Sequence, residues 1–147
     1  MEKSRVFYET PTASVFWDEK LNALFLQYHS KVKNLDEFIE INSNLLEAFK
    51  QLNTTVVVAD IRRMSIISLE AQKWIVDNLF PGLLKHLKGK KLFHAQLLDP
   101  KEILSKVAAS NLKKKSVVVE EGFTIEQFSD ENTLEEVIKS RNLKVAS

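Results

Sequence analysis

Cysteine is absent from the 147 residues, and glycine, proline and histidine occur three times each. Without a thiol there is no disulfide, no thiolate metal site and no cysteine nucleophile. This fits a reducing compartment, so a cytoplasmic location is the expectation. Phosphate-cradling loops of the G-x-G-x-x-G and G-x-x-x-x-G-K-S/T types are missing, as is the G-x-S-x-G nucleophile elbow. The shortage of glycine and proline also leaves no linker. No repeat or low-complexity stretch occurs, and residues 1–147 are expected to form one domain. Unbroken apolar runs stop at about four residues, far short of the roughly 20 a spanning helix needs, so no membrane insertion is expected. Met1-Glu2-Lys3-Ser4-Arg5 leads into no apolar run, and no signal peptide is expected.

What is present is an ordinary globular mix with bulky core material, nine Phe and two Trp among it. The net charge of +1 is unevenly spread. Residues 81–115 carry nine basic and two acidic side chains, including Lys85, Lys88, Lys90, Lys91 and the run Lys113-Lys114-Lys115. No aromatics interleave these lysines as a nucleic-acid platform would want. They read as a solvated surface, and no nucleic-acid partner is expected.

Hydropathy patterning gives the element order. Val6-Phe7-Tyr8 and Ser14-Val15-Phe16-Trp17 read as β-structure, Asp18-Glu19-Lys20 as a turn, and Ala23–Tyr28 alternates as a returning strand. Asn34 with Glu37 forms a capping box that opens a helix with Leu35, Phe38, Ile39, Leu45, Leu46, Phe49 and Leu52 on one face. Thr55-Val56-Val57-Val58-Ala59 is a continuous β-branched run, the mark of a strand buried on both faces and central to the sheet. A helix follows from about Ser68, kinked or restarted at Pro81, and then a strand at 92–98. Asp99-Pro100 opens a helix over 100–112. Val117–Val119 is an ambiguous short strand, Gly122–Phe128 a strand, and Ser129 or Asp130 caps a last helix. The fold class is therefore α/β: a mixed sheet with an N-terminal antiparallel hairpin followed by alternating helix–strand units.

Chemistry-bearing constellations are few. The three histidines, His29, His86 and His94, fall on different elements without metal-ligand spacing, so no metal site is expected. His94 reads as a hydrogen-bonded core residue. Asp60, Asp99 and Asp130 fall at carboxyl ends of strands, where open α/β sheets bind ligands. Asp99 and Asp130 read as helix caps. Asp60 either serves function or ties down its own loop through Arg62 or Arg63. The loop from Asp60 to Ser68 also carries Ser65 and ends at a helix start, a combination that suits an anion. No catalytic residue and no cofactor is assigned.

Val56-Val57-Val58-Ala59-Asp60-Ile61, followed by a short loop and a helix, resembles the STAS domain family, as does the whole element order from about Ser14 to Arg141. The pattern of Trp17, Asp60, Gln72-Lys73-Trp74 and Pro81 is similar to the SpoIIAA-like bacterial branch grouped with CRAL-TRIO lipid-binding domains. Regulatory STAS domains carry a D-S-S-G motif whose serine is phosphorylated by a partner kinase. Here the corresponding place reads Ser68-Leu69-Glu70-Ala71, with Glu70 where that serine would be and Ser68 at the aspartate, so the motif that carries the switch is not kept. It implies a non-enzymatic protein-interaction or regulatory module of the bacterial cytoplasm. The alternative is a carrier of a small hydrophobic or anionic ligand, and a homo-oligomer is open. The candidate binding residues are Asp60, Arg62, Arg63, Ser65, Ser68 and Glu70.

Overall fold

The computed structural model describes residues 1–64, 67–99 and 123–146. Six strands form one sheet in sequential order: β1 (Arg5–Glu9), β2 (Ala13–Asp18), β3 (Ala23–Tyr28), β4 (Val56–Asp60), β5 (Leu92–Leu97) and β6 (Phe123–Phe128). The first three run antiparallel as a meander, and β3 through β6 are parallel. The expected α/β mixed sheet with an N-terminal hairpin is thus what the chain forms. The hairpin is β2–β3, and β1 adds an outer strand with an irregularity between Val6 and Tyr8. In the turn, Asp18 Oδ1 accepts from the Leu21 N–H at 3.1 Å, and Asn22 takes the left-handed backbone that asparagine tolerates.

Helix α1 (Leu35–Lys50) connects β3 to β4. Asn34 is its N-cap, and Glu37 reaches back to the residue before the cap instead of to the cap's own N–H. The Glu37 N–H donates to Asn34 Oδ1 at 2.8 Å, and the Lys33 N–H donates back to Glu37 Oε1 at 2.7 Å. Between β4 and β5 one continuous helical stretch comprises α2 (Leu69–Trp74), a π-turn (Ile75–Leu79) and α3 (Phe80–Leu87). As expected, the helix changes at Pro81: α3 starts at Phe80 with the proline in its first turn. The widened turn lies just ahead of the proline, where an α-helical carbonyl would meet the ring. Helix α4 (Glu131–Ala146) follows β6. The expected helix at 100–112 and the Val117–Val119 segment lie outside the described residues.

Parallel strands added in one direction by right-handed crossovers put their helices on one face of the sheet. That face holds Val15, Leu24, Leu26, Val57 and Leu92 against Phe38, Ile41, Leu45 and Phe49 of α1 and Leu79, Phe80 and Leu83 of the second helical stretch. The opposite face holds Phe16, Phe25, Val56, Val58, Phe93, Ala95 and Leu97 under Leu134 and Ile138 of α4. Phe16 and Phe25 stack there with ring centroids 5.2 Å apart. Strand β4 is buried on both faces, as its unbroken valine run requires. Each fully buried Phe or Leu contributes about 1.5–3 kcal/mol.

Candidate functional site

Where α4 begins, the carboxyl ends of β3 and β4 leave a polar cleft of about 490 Å³. It is lined by Gln27, Tyr28, His29, Asp60, Arg62, Arg63, Asp99 and Glu131. Ligands of open α/β sheets bind at such ends. The alternation of β3 turns Phe25 toward the α4 face, and Gln27 and His29 continue on that side. Asp60 follows Val56 and Val58 onto the same side.

Asp60 is buried, and its carboxylate is taken up by its own loop. Arg62 forms a two-point pair with it, Nε to Oδ1 at 2.9 Å and an Nη to Oδ2 at 2.7 Å, and the Arg62 N–H adds 3.2 Å to Oδ1. The same Nη donates to Glu131 Oε1 at 2.8 Å. Gln27 Nε2 donates to Asp60 Oδ2 at 3.3 Å. Asp60 first, and Glu131 with it, hold the Arg62 guanidinium still more firmly protonated than usual. Of the two readings of Asp60, the tie to its own loop is present in the structure, and its partner is Arg62. That guanidinium is spent on two carboxylates, one of them 69 residues away. Arg63 is exposed, and among the described residues its side chain makes no hydrogen bond or ion pair.

The remaining candidates lie elsewhere. Ser68 caps α2, its Oγ accepting from the Ala71 N–H at 3.1 Å. It lines a separate hollow of about 220 Å³ between the starts of α1 and α2. Glu70 is exposed in the first turn of α2 and lines neither hollow. Ser65 lies outside the described residues. Asp130 caps α4 through the Thr133 N–H and hydroxyl at 2.8 and 2.9 Å, which hold its carboxyl below the usual range.

The pattern along the chain missed the neighbours of Asp60. For His29 the sequence shows only the absence of metal-ligand spacing. Its Nε2 sits 2.7 Å from Ser14 Oγ, and Ser14 Oγ donates to Glu9 Oε1 at 3.1 Å. Extending the alternation of β3 by two residues would have found Gln27 and His29 on one face. The link to Ser14 needs the register of β2 on β3.

His94 is a core residue, as read, but Nδ1 has no hydrogen-bond partner among the described residues, which corrects the expected hydrogen bond. Burial lowers its pKa to about 4, and its ring meets Phe80 edge-on at 5.4 Å. It borders a cavity of about 30 Å³ shared with Tyr28, Asn42 and Gln96. Asn42 Nδ2 donates to the Tyr28 hydroxyl at 3.1 Å, and burial raises the Tyr28 pKa. No cluster of three or more potential metal ligands occurs among the described residues, and no helix there is long and apolar enough to cross a membrane. Comparison with protein-family models, curated proteins and solved structures finds no match to this chain.

Proposed function

We propose that the chain is a non-enzymatic, STAS-like protein-interaction module of the bacterial cytoplasm, docking its partner through the first turn of α2 and the loop that leads into it. The observation that carries this reading is Leu69, 71% exposed. It sits between Ser68 and Glu70, both exposed, with exposed Lys73 one turn on. A large apolar side chain ringed by polar groups on a rigid helix suits the centre of a docking patch. The order of hairpin and alternating helix–strand units agrees with the STAS resemblance. A carrier of hydrophobic ligands wants a pocket of roughly 300 Å³ or more. The described core offers about 30 Å³ between sheet and helices, room for a water molecule.

The test pairs wild type with Leu69→Glu as immobilised baits in the native cytosol. The expected result is a specific protein held by wild type and released by the variant, with circular dichroism unchanged. Equal capture by both, or stoichiometric lipid in native mass spectra of the wild-type protein, overturns the reading.

A further inference from the structure

We propose that the chamber between the sheet and its helices is a binding site for internal water, built by Tyr28, Asn42, His94 and Gln96. The site is separate from the docking patch, since Leu69 does not line it.

The room is made by Ala59. It lies on β4 in one row with Leu26 of β3 and Gln96 of β5. Val57 before it and Ile61 after it are buried on the same face, so one small side chain interrupts a run of larger ones. Ala59 is also the one residue of β4 that is half-buried, although β4 has a strand on either side. Phe38 and Leu45 of α1 and Ile75 and Leu79 of the π-turn roof the gap and leave about 30 Å³. A water molecule needs roughly 10–15 Å³, so the space takes one or two.

The polar groups decide what fills it. The four side chains are each at most 4% exposed, and each has a hydrogen-bonding group without a partner among the described residues. The Tyr28 hydroxyl accepts from Asn42 Nδ2 at 3.1 Å, so its own hydrogen still needs an acceptor. Asn42 Nδ2 also donates to the Phe38 carbonyl at 2.9 Å, and a carbonyl only accepts. That fixes the amide and leaves Oδ1 needing a donor. Gln96 engages one end of its amide with Gln127 at 3.3 Å and has the other end left over. Neither ring nitrogen of His94 is paired. An apolar occupant would leave all four groups unanswered in the core. An ion would lack a counter-charge, because burial keeps His94 and Tyr28 neutral. Water donates twice and accepts twice, and one or two molecules answer the hydroxyl hydrogen, the amide oxygen, the amide end and the ring nitrogen together.

The experiment is oxygen-17 relaxation dispersion of water on the full chain, joined to rotating-frame Overhauser contacts between water and the Ala59 methyl group. Wild type is expected to show at least one long-lived water and a contact at that methyl. Ala59→Val, which puts carbon into the space, is expected to lose one or two long-lived waters while its circular dichroism is unchanged. The methyl contact needs no variant, so it decides the matter even if Ala59→Val does not fold. The proposal is overturned by a wild type without long-lived water, by the absence of a contact at Ala59, or by an unchanged dispersion in folded Ala59→Val.

Discussion

His94 stands in the middle of β5, 4% exposed. Burial is the cause of its shift, because it disfavours the charged ring. The folded protein keeps the ring neutral down to about pH 4, whereas the unfolded chain takes up a proton near the ordinary value of 6.5. Between those values only the unfolded state binds the proton, so stability is retained above the upper value and falls as the pH drops through the window. The loss attributable to this one ring is on the order of 3 kcal/mol by the lower end. Urea unfolding at about pH 7 and about pH 4 measures it. His94→Leu, which removes the titrating group while filling similar volume, is expected to lose less stability on acidification than wild type by about that amount. Parallel losses in the two proteins would show that acid acts elsewhere.

At the scale of elements, local patterns carried well where the signal is periodic. The cap at Asn34, the valine run of β4, the alternation of β3 and the cap at Asp130 all lie within a few residues of the structure they specify. The inward stripe of α1 was read less well. Ile41, Asn42 and Ala48 are buried, while Ile39 and Leu46 are only half-buried. Asn42 was invisible as a core position because its partner across the packing, the Tyr28 hydroxyl, becomes known only when α1 is laid on β3. The cleft was half legible for the same reason. Asp60 and Arg62 are near in sequence, but Ser14, His29 and Glu131 meet them or each other only through strand register and the return of α4. Ser68 shows the local case at its simplest. Its hydroxyl answers one of the unpaired N–H groups at the start of α2 and touches no functional partner. Ser68→Ala is expected to cost about 1 kcal/mol in urea melts. Stoichiometric phosphate on Ser68 in intact mass spectra of native protein would assign it a second role.

Across the whole molecule, the two faces of the sheet are covered unequally by the described helices. One face carries α1, α2 and α3, and the other relies on α4 over Phe16, Phe25 and Phe93. What holds α4 in place therefore matters beyond its own length. Its buried contacts are Leu134 and Ile138, its far end is tied by Asn142 Nδ2 donating to the Leu21 carbonyl at 2.8 Å, and its first residue is tied by Arg62. Arg62 thus joins three things at once: the buried Asp60, the loop after β4 and the start of α4. Removing it leaves Asp60, 3% exposed, with a carboxylate answered among the described residues by Gln27 at 3.3 Å and a loop N–H. Arg62→Ala is expected to cost about 3 kcal/mol, chiefly as the penalty of an unpaired buried charge. Glu131→Ala removes a carboxylate that is 41% exposed and should cost under about 1 kcal/mol. Arg63→Ala should stay within about 0.5 kcal/mol of wild type, because no partner is lost. Urea melts of the three variants test this ordering, and a clamp at Arg62 requires its variant to be the outlier. Equal, small effects at Arg62 and Arg63 would mean that the clamp is open in solution and that both guanidiniums face the cleft as free cations.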